Sequence, residues 1–513
     1  MTKSSLAPAR HRLYLAIGSL LLIGTVGIAS AASSPGSTVG HEPDPAAVMP
    51  PIANPPVALQ VRSASAIPKG WVYSDAAFPS ITPEFQQFRA ATQKITYEQL
   101  TKAGSKISRA EFERISKYID NAYSGLTVVK TIQMDGQIFD CIPAAQQPAL
   151  RGGSAVDTPP GDDDIPGISQ AEESSAGLSE TCGGGTVPFA RLDIRDVASY
   201  PSLKSFLKKG VRAKPLLASA KAAQVETPKV GDHQYVVVRT NPAHVNGGGA
   251  DLNVWKPPVD PAMDDYRMSL MQIWVSGDNS KHETQTLEVG WQVQPLAWKT
   301  PKPTPFIYST QDGYNKTGCY NLECKDFVQT SPKVVFGSAF ANDEYSKSGG
   351  AQRVIKVAWH RKNKTGNWWL KVNGDWIGYY PASLYEGDLA KASSALTFDA
   401  GGEIAAPDGG PSLPMGSGKF ADLGYKQAAY ITAMRYLNKN EKTADVDLDK
   451  AQLLLTYPKC YTLALAGMLG DEFANGLPDG VSTIGRKPVF HGPSFYLGGP
   501  GSTNKACKAS IVN

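Results

Sequence analysis

The sequence predicts a mainly β protein, a two-sheet antiparallel β-sandwich preceded by a smaller α+β region. Three observations carry that prediction. The 513 residues include 49 Gly and 38 Pro, and only 19% of residues are charged, which indicates many turns. Nine Trp and 21 Tyr suit pleated, half-buried surfaces better than helical bundles. After Gly231, Gly-rich turns recur at roughly ten-residue spacing with no long amphipathic helix between them, as in a sandwich. The net charge is +4, with Lys and Arg scattered along the chain, so nucleic acid is excluded as an expected partner.

The N-terminus carries Lys3, Arg10 and Arg12, then an apolar run from Leu13 to Ile28, then Ala29-Ser30-Ala31-Ala32. A charged segment, an apolar segment and small residues in that order form a secretory signal over residues 1–32. The apolar run is short for a span and contains Gly18, Gly24 and Gly27, so no membrane span is expected after cleavage. The expected destination is outside the cell, with the periplasm as a place of transit. Export makes the six cysteines a disulfide set. Order and spacing pair Cys141 with Cys182, Cys319 with Cys324, and Cys460 with Cys507.

Residues 33–68 are rich in Pro, Ala, Ser and Val without periodicity, and read as a flexible leader. A helical section opens at Thr82-Pro83-Glu84, an N-cap with Pro in the first helical position. Ser108-Arg109-Ala110-Glu111 has the pattern of a capping box. It leads into an apolar stripe of Phe112, Ile115, Tyr118, Ile119 and Ala122, ending near Gly125. Leu126 to Asp140 predicts a hairpin turning at Asp135-Gly136. Residues 152–185 contain Asp162-Asp163-Asp164 and Glu172-Glu173 among Gly, Ser and Pro, a flexible acidic loop closed by Cys141 and Cys182. Residues 204–230 are basic and weakly patterned, and predict an exposed linker of the kind proteases cut.

Beyond residue 231, strands are predicted at His233–Arg239, Leu252–Trp255, Val354–Trp359 and Trp368–Val372. Ser269–Val275 and Thr286–Val293 pair as a hairpin through Gly277-Asp278-Asn279-Ser280. Asn373-Gly374 joins Trp368–Val372 to Trp376–Tyr380, the strongest short hairpin signal available. In Leu287–Val293, Leu287, Val289, Trp291 and Val293 point one way and Glu288, Gly290 and Gln292 the other. Gly within a strand marks a place where a ligand or another backbone comes close. In Ala400-Gly401-Gly402-Glu403, the two glycines leave the backbone open around a second carboxylate. Read alone, each Glu is as well explained by an ordinary solvated position.

Other chemistries fail on spacing. His282-Glu283 lacks the second His of a zinc helix. Gly416-Ser417-Gly418-Lys419 lacks the earlier Gly of a phosphate loop, and Phe420 replaces its Ser or Thr. Asp445-Val446-Asp447-Leu448-Asp449 begins like a calcium loop, but Lys450 stands at the turn Gly and Thr456 at the final Glu. There is no G-x-S-x-G elbow, and the paired cysteines leave no thiol. No metal and no cofactor are expected, and the remaining chemistry is carboxylates and water.

Several stretches, in order, resemble the neprosin-type glutamic peptidases. They are SLMQIWV from Ser269, LEVGWQV from Leu287, TGCYNLECKDFVQTS from Thr317, GNWWL from Gly366 and IGYYPASL from Ile377. GGEI from Gly401, MGSGKF from Met415 and FYLGGPG from Phe495 follow. Upstream, MDGQIFDCIPAAQQPAL from Met134 and CGGGTVPFARLD from Cys182 resemble the family's activation region. The resemblance implies a secreted zymogen, with an activation region over residues 69–203 as intramolecular inhibitor and a sandwich peptidase domain over residues 231–513. It implies that Glu288 and Glu403 are the catalytic pair, that peptides or proteins are the substrates, and that cleavage after proline is within the family's range. Departures are the long acidic insertion before Cys182 and the extended stretch from Leu437 to Asp479.

Two close carboxylates cannot both ionise cheaply, so one activates water while the other donates a proton, and activity at acid pH is expected. Parity places Gln292 on the Glu288 face as an oxyanion donor, with Gln272 and Trp274 of the partner strand facing the same cleft as substrate-binding residues. A monomer is expected. The competing readings are a family member without activity, or a carbohydrate-binding surface sandwich stacking sugars on Trp359, Trp368, Trp369 and Trp376.

Overall fold

The computed structural model describes residues 82–507, apart from 152, 154, 162–173, 176–181, 210–232, 241–242, 261–266, 342–343, 392–394, 407–409, 439–441, 467–478, 485–489 and 491. The expected signal, the leader, Asp162-Asp163-Asp164 and Glu172-Glu173 of the 152–185 loop and linker residues 210–230 lie outside the described residues. Among the described residues, no helix is long and apolar enough to cross a membrane.

The first part is α+β. Helix α1 (Pro83–Thr92) starts as the sequence predicts, with the Thr82 hydroxyl accepting from Phe85 N and Pro83 in the first turn. Helix α2 (Tyr97–Lys102) carries the reciprocal capping box, between Thr96 and Gln99. Helix α3 (Arg109–Tyr123) keeps only half of the box expected there. Ser108 accepts from Glu111 N, but the Glu111 carboxylate accepts from Leu203 N at 2.6 Å and from Arg114 at 2.9 Å. The tertiary donor outcompetes the local one. Ile115, Tyr118, Ile119 and Ala122 are buried and Phe112 half-buried, as the stripe requires.

Strands β1 (Lys130–Met134) and β2 (Gln137–Pro143) turn at Asp135 (φ 50°) and Gly136 (φ 82°), the positive pair that a two-residue hairpin demands. Strand β3 (Ser174–Ser175) is short, and β4 (Thr186–Ala190) completes a sheet of order β1-β2-β4. Helices α4 (Ile194–Val197) and α5 (Leu203–Leu207) follow. Tyr118 OH donates to Glu323 O at 2.9 Å, and Gln147 and Gln329 exchange two bonds of 2.9 and 2.7 Å. This part is therefore sewn to the β domain through buried polar contacts.

The β domain contributes β5 (His233–Arg239), β6 (Ala243–Asn253), β7 (Met268–Asp278), β8 (Thr284–Val293), β9 (Thr304–Thr310), β10 (Cys319–Tyr320) and β11 (Val328–Gln329). Next come β12 (Arg353–Arg361), β13 (Trp368–Val372), β14 (Asp375–Tyr380), β15 (Ala395–Ala405) and β16 (Ala429–Asn438). The last are β17 (Thr443–Asp445), β18 (Gln452–Leu455), β19 (Thr462–Ala466), β20 (Val481–Ile484) and β21 (Ser494–Gly498).

One sheet runs β10-β9-β8-β7-β15-β5-β18, antiparallel throughout. The other runs β11-β14-β13-β12-β6-β16-β21-β19-β20, with β3 also beside β12 and β17 beside β16, and is antiparallel except for the β19–β20 and β12–β3 pairs. Strand β15 also pairs with β6 at Ala395 and Leu396, so the sheets join at a corner. Their apolar faces meet in one core, with Ile273, Val289 and Trp291 from the first sheet and Leu252, Ile355 and Trp359 from the second. The mainly β architecture of antiparallel sheets is thus the one predicted. All three predicted disulfides are present.

At β8 the first sheet is buried on both faces, since every residue of that strand is buried. Its second face carries the candidate site.

Candidate active site

Glu288 sits on β8 with Leu287, Val289, Trp291 and Val293 turned to the core, as strand parity predicts. Glu403 sits on β15, and β7 lies between the two strands. Register sets Trp274 of β7 opposite Glu288, and Leu270 opposite Glu403. Gln272 lies between them, flanked by Gly290 on one side and Gly401 on the other.

Those glycines serve backbone packing. A Cβ on Gly290 would lie 2.0 Å from Met271 O and 2.6 Å from Gln272 Cα, and one on Gly401 would lie 2.2 Å from Val236 O. On Gly402 it would meet Met415 Sδ at 2.7 Å. The expected open space around Glu403 is therefore closed, because neighbouring strands and Met415 fill it. Of the two causes that Gly in a strand admits, close approach of another backbone is the one observed.

The group that joins the two glutamates lies outside the sheet. Lys209, just beyond α5, places its Nζ 2.6 Å from Glu288 Oε2 and 2.8 Å from Glu403 Oε2. Its side chain is 2% exposed, as fully enclosed as the carboxylates. The same ammonium stands 5.6 Å from the Trp274 ring centroid and 5.7 Å from that of Phe306, so aromatic faces wall it in. Residues 204–209 thus depart from the exposed linker expected at that point. Leu203–Leu207 is helical, and Lys209 enters the β domain because two buried carboxylates require a counter-charge.

Each glutamate is anchored by its other oxygen. Glu288 Oε1 accepts from Thr286 Oγ1 at 2.9 Å and from Tyr314 OH at 2.6 Å. Glu403 Oε1 pairs with His233 Nδ1 at 2.5 Å, and its Oε2 also accepts from Gln272 Nε2 at 3.1 Å. Tyr314 is held at φ 62°, a backbone state rarely adopted by a bulky residue. Lys208 braces it by donating to Tyr314 O at 2.9 Å.

Burial alone pushes the Glu403 carboxyl up, but the Lys209 charge and the His233 bond outweigh it and bring the pKa to about 2. Burial likewise opposes charge on Lys209, and the two carboxylates overcome it and raise its pKa. Burial, then the Glu288 charge, pushes the Tyr314 phenol well above its ordinary range, so it stays a hydrogen-bond donor.

Of the residues expected here, Glu288, Glu403, Gln272 and Trp274 come together around Lys209. Gln292 shares the face but lies apart from the pair. It donates to Gln294 Oε1 at 3.1 Å and accepts from Tyr320 OH at 3.3 Å. Lys209, His233, Tyr314 and Thr286 were not anticipated. Thr286 was within reach of parity, being two residues before Glu288. Among the described residues no group of three His, Cys, Asp or Glu side chains is placed to hold a metal. Trp359, Trp368 and Trp369 are each 0% exposed and offer no stacking face for a sugar.

The fold and site define a β-sheet protein with two buried glutamates that share one cation. A family model described as Neprosin matches residues 265–500, which is consistent with a neprosin-family assignment over that span. The matched span contains Glu288 and Glu403, while Lys209 and His233 lie upstream of it. The match supports a function of the peptidase type and protein substrates in general. Among solved structures, the chain is similar to the crystal structure of a beta-porphyranase from the human gut bacterium Bacteroides plebeius. Identity is 9%, coverage is 33% of this chain and 55% of the other, and the TM-score is 0.18. The chain spans about half the length of that protein, and the likeness carries no argument.

Proposed function

We propose that the chain is a secreted, acid-acting endopeptidase of the glutamic type, made as a zymogen, in which Glu288 and Glu403 activate water. The observation that carries this reading is the single ammonium of Lys209 held between Oε2 of both glutamates. Its nitrogen stands where one water would touch both carboxylates. In the closed chain, that position is taken by a residue of the upstream region.

Once Lys209 is withdrawn, a water occupies its place. One carboxylate takes a proton from that water as its oxygen attacks the peptide carbonyl carbon. The other, protonated, gives its proton to the carbonyl oxygen. Collapse of the tetrahedral adduct reforms the C=O bond and breaks the C–N bond, and a proton passes to the leaving nitrogen. The pair works only while it holds one proton between its members, which sets activity at acid pH. Trp274 and Phe306 would flank the scissile region, and their ring faces suit a proline side chain. Residues 69–203 with Lys208 and Lys209 form the inhibitory region, residues 210–230 carry the processing site, and residues 231–513 form the catalytic domain. Three disulfides support export to an oxidising compartment. The chain acts as a monomer.

The test is digestion of a peptide library across pH by the acid-treated wild type and by Glu288→Gln and Glu403→Gln. Each variant is expected to lose about 10²–10⁴-fold in rate, the worth of a positioned acid or base. Equal activity in all three proteins overturns the assignment.

A further inference from the structure

The two glutamates differ in the chemistry of their anchors. We propose that His233 is a positioning residue that fixes Glu403 as the proton-accepting member of the pair and leaves Glu288 as the acid. The proposal rests on the glutamic-peptidase reading above.

Glu288 Oε1 is anchored by two hydroxyls, Thr286 Oγ1 and Tyr314 OH. A hydroxyl donates or accepts, so these partners serve an ionised Glu288 and, by turning, a protonated one as well. Glu403 has one hydroxyl partner as well, Tyr235, but its two nitrogen partners, Gln272 and His233, are more constrained. Gln272 donates through Nε2, and turning its carboxamide to accept would put that NH2 where Oε1 now lies buried with no partner among the described residues. The His233 ring is 0% exposed, and its Nε2 is buried with no partner among the described residues. A buried, unpartnered N–H costs more than a buried lone pair. The ring proton therefore belongs on Nδ1, where it donates to Glu403 Oε1. Both nitrogen anchors of Glu403 thus favour an ionised carboxylate, whether or not Lys209 is present.

The titratable groups facing His233 are few. Glu403 lies across the strand pair, and Tyr235, two residues along, stacks on the ring with centroids 6.2 Å apart. Tyr235 also faces Glu403, and its phenol is pushed well above its ordinary range by burial and by the two glutamates. Lys209, Glu288 and Tyr314 stand beyond Glu403. His233 begins β5, directly after residues 210–232, so the segment that would be cut during maturation leads into this anchor.

The experiment uses the full-length chain carrying Lys209→Ala, into which His233→Phe and His233→Gln are introduced, and follows kcat against pH. The parent is expected to show an acid limb that reports ionisation of Glu403. His233→Phe should move that limb up by about one to two pH units, the worth of a hydrogen bond to a charged group. His233→Gln, which still donates, should return most of the shift. A lowered kcat with an unmoved acid limb overturns the proposal, as does movement of the alkaline limb alone. If the parent cleaves no peptide even after the acid treatment used for the wild type, the peptidase reading fails, and the His233 proposal is decided by carbon-13 titration of the Glu403 carboxyl. That signal is assigned through its loss in Glu403→Gln. An upward shift in His233→Phe supports the proposal, and an unchanged titration overturns it.

Discussion

Among the described residues, the Arg191 and Lys209 sites each hold one cation between two carboxylates, and they are built for opposite ends. In the first, Arg191 follows β4 and reaches Asp140 on β2 and Glu84 on α1. Its bonds to Glu84 are 2.6 and 3.0 Å, and those to Asp140 are 3.0 and 2.5 Å. A further bond to Thr131 and the rings of Phe85 and Phe88 complete the seat. All these partners lie in the α+β part. In the second, Lys209 reaches from that part into the β domain and makes one bond to each glutamate. A guanidinium fork grips two carboxylates by two bonds each, whereas an ammonium is a point charge on a flexible stem. Arg welds its own sheet, and Lys plugs a site that belongs to another part of the chain. A cation is more easily withdrawn where its carboxylates are well held by other donors: Glu288 keeps Thr286 and Tyr314 and Glu403 keeps His233 and Gln272, whereas Asp140 and Glu84 have the single Thr131 hydroxyl to share.

The largest effect that tests this contrast is expected from Arg191→Met. Asp140 is fully buried, and burial raises its pKa even against the neighbouring guanidinium. Removing Arg191 strands that carboxylate, and the loss should be about 3–5 kcal/mol of unfolding free energy at neutral pH, measured by urea denaturation. A loss under about 1 kcal/mol would show that the cluster is no weld.

Lys209→Met should cost less, because the two glutamates it leaves can share a proton and keep their own anchors. Its signature is in pH. In the closed chain the Glu403 pKa lies at about 2, below its ordinary 4.5. The folded state therefore binds fewer protons than the unfolded one between those values. This contribution is fully present above about pH 4.5 and is lost as pH falls toward 2, on the order of 3 kcal/mol. Thermal unfolding of the wild type should weaken across that window, and the slope should flatten in Lys209→Met. Parallel curves for the two proteins would break the link between Lys209 and Glu403.

How much of this was legible in the sequence follows from what sets each residue's place. Strand parity is local, so Glu288, Trp274 and the core side of β8 could be read directly. Face is not reach, however. Gln292 and Gln272 share a face with the glutamates, but only Gln272 lies opposite two glycines, with no side chain between it and Glu403. That needs cross-strand register, which no single strand encodes. Glu403 stood out only through the family motif, since two glycines and a carboxylate also describe a turn. Lys209 was illegible because it is one Lys in a basic, unpatterned stretch, and its burial is decided by where the chain runs after α5. The Ser108 box failed for a similar reason. Its local pattern was sound, but Leu203 N, from a distant turn, claimed the Glu111 carboxylate.

The smallest predicted effect sharpens the comparison from within the Arg191 cluster. Glu84 bonds to the same guanidinium as Asp140, at comparable distances, but its side chain is 56% exposed. Its pKa is lowered first by the Arg191 hydrogen bond, with burial opposing. Water already solvates most of this carboxylate, so its loss leaves nothing stranded, and Asp140 still neutralises Arg191. Glu84→Gln should therefore cost about 0–1 kcal/mol, and added salt should reduce even that difference. Unfolding of Glu84→Gln and wild type at low and high salt measures it. A cost near that of Arg191→Met would mean that Glu84 bonding, and not enclosure of Asp140, holds the cluster together, and the distinction between a weld and a plug would then have to be sought in bond count instead of burial.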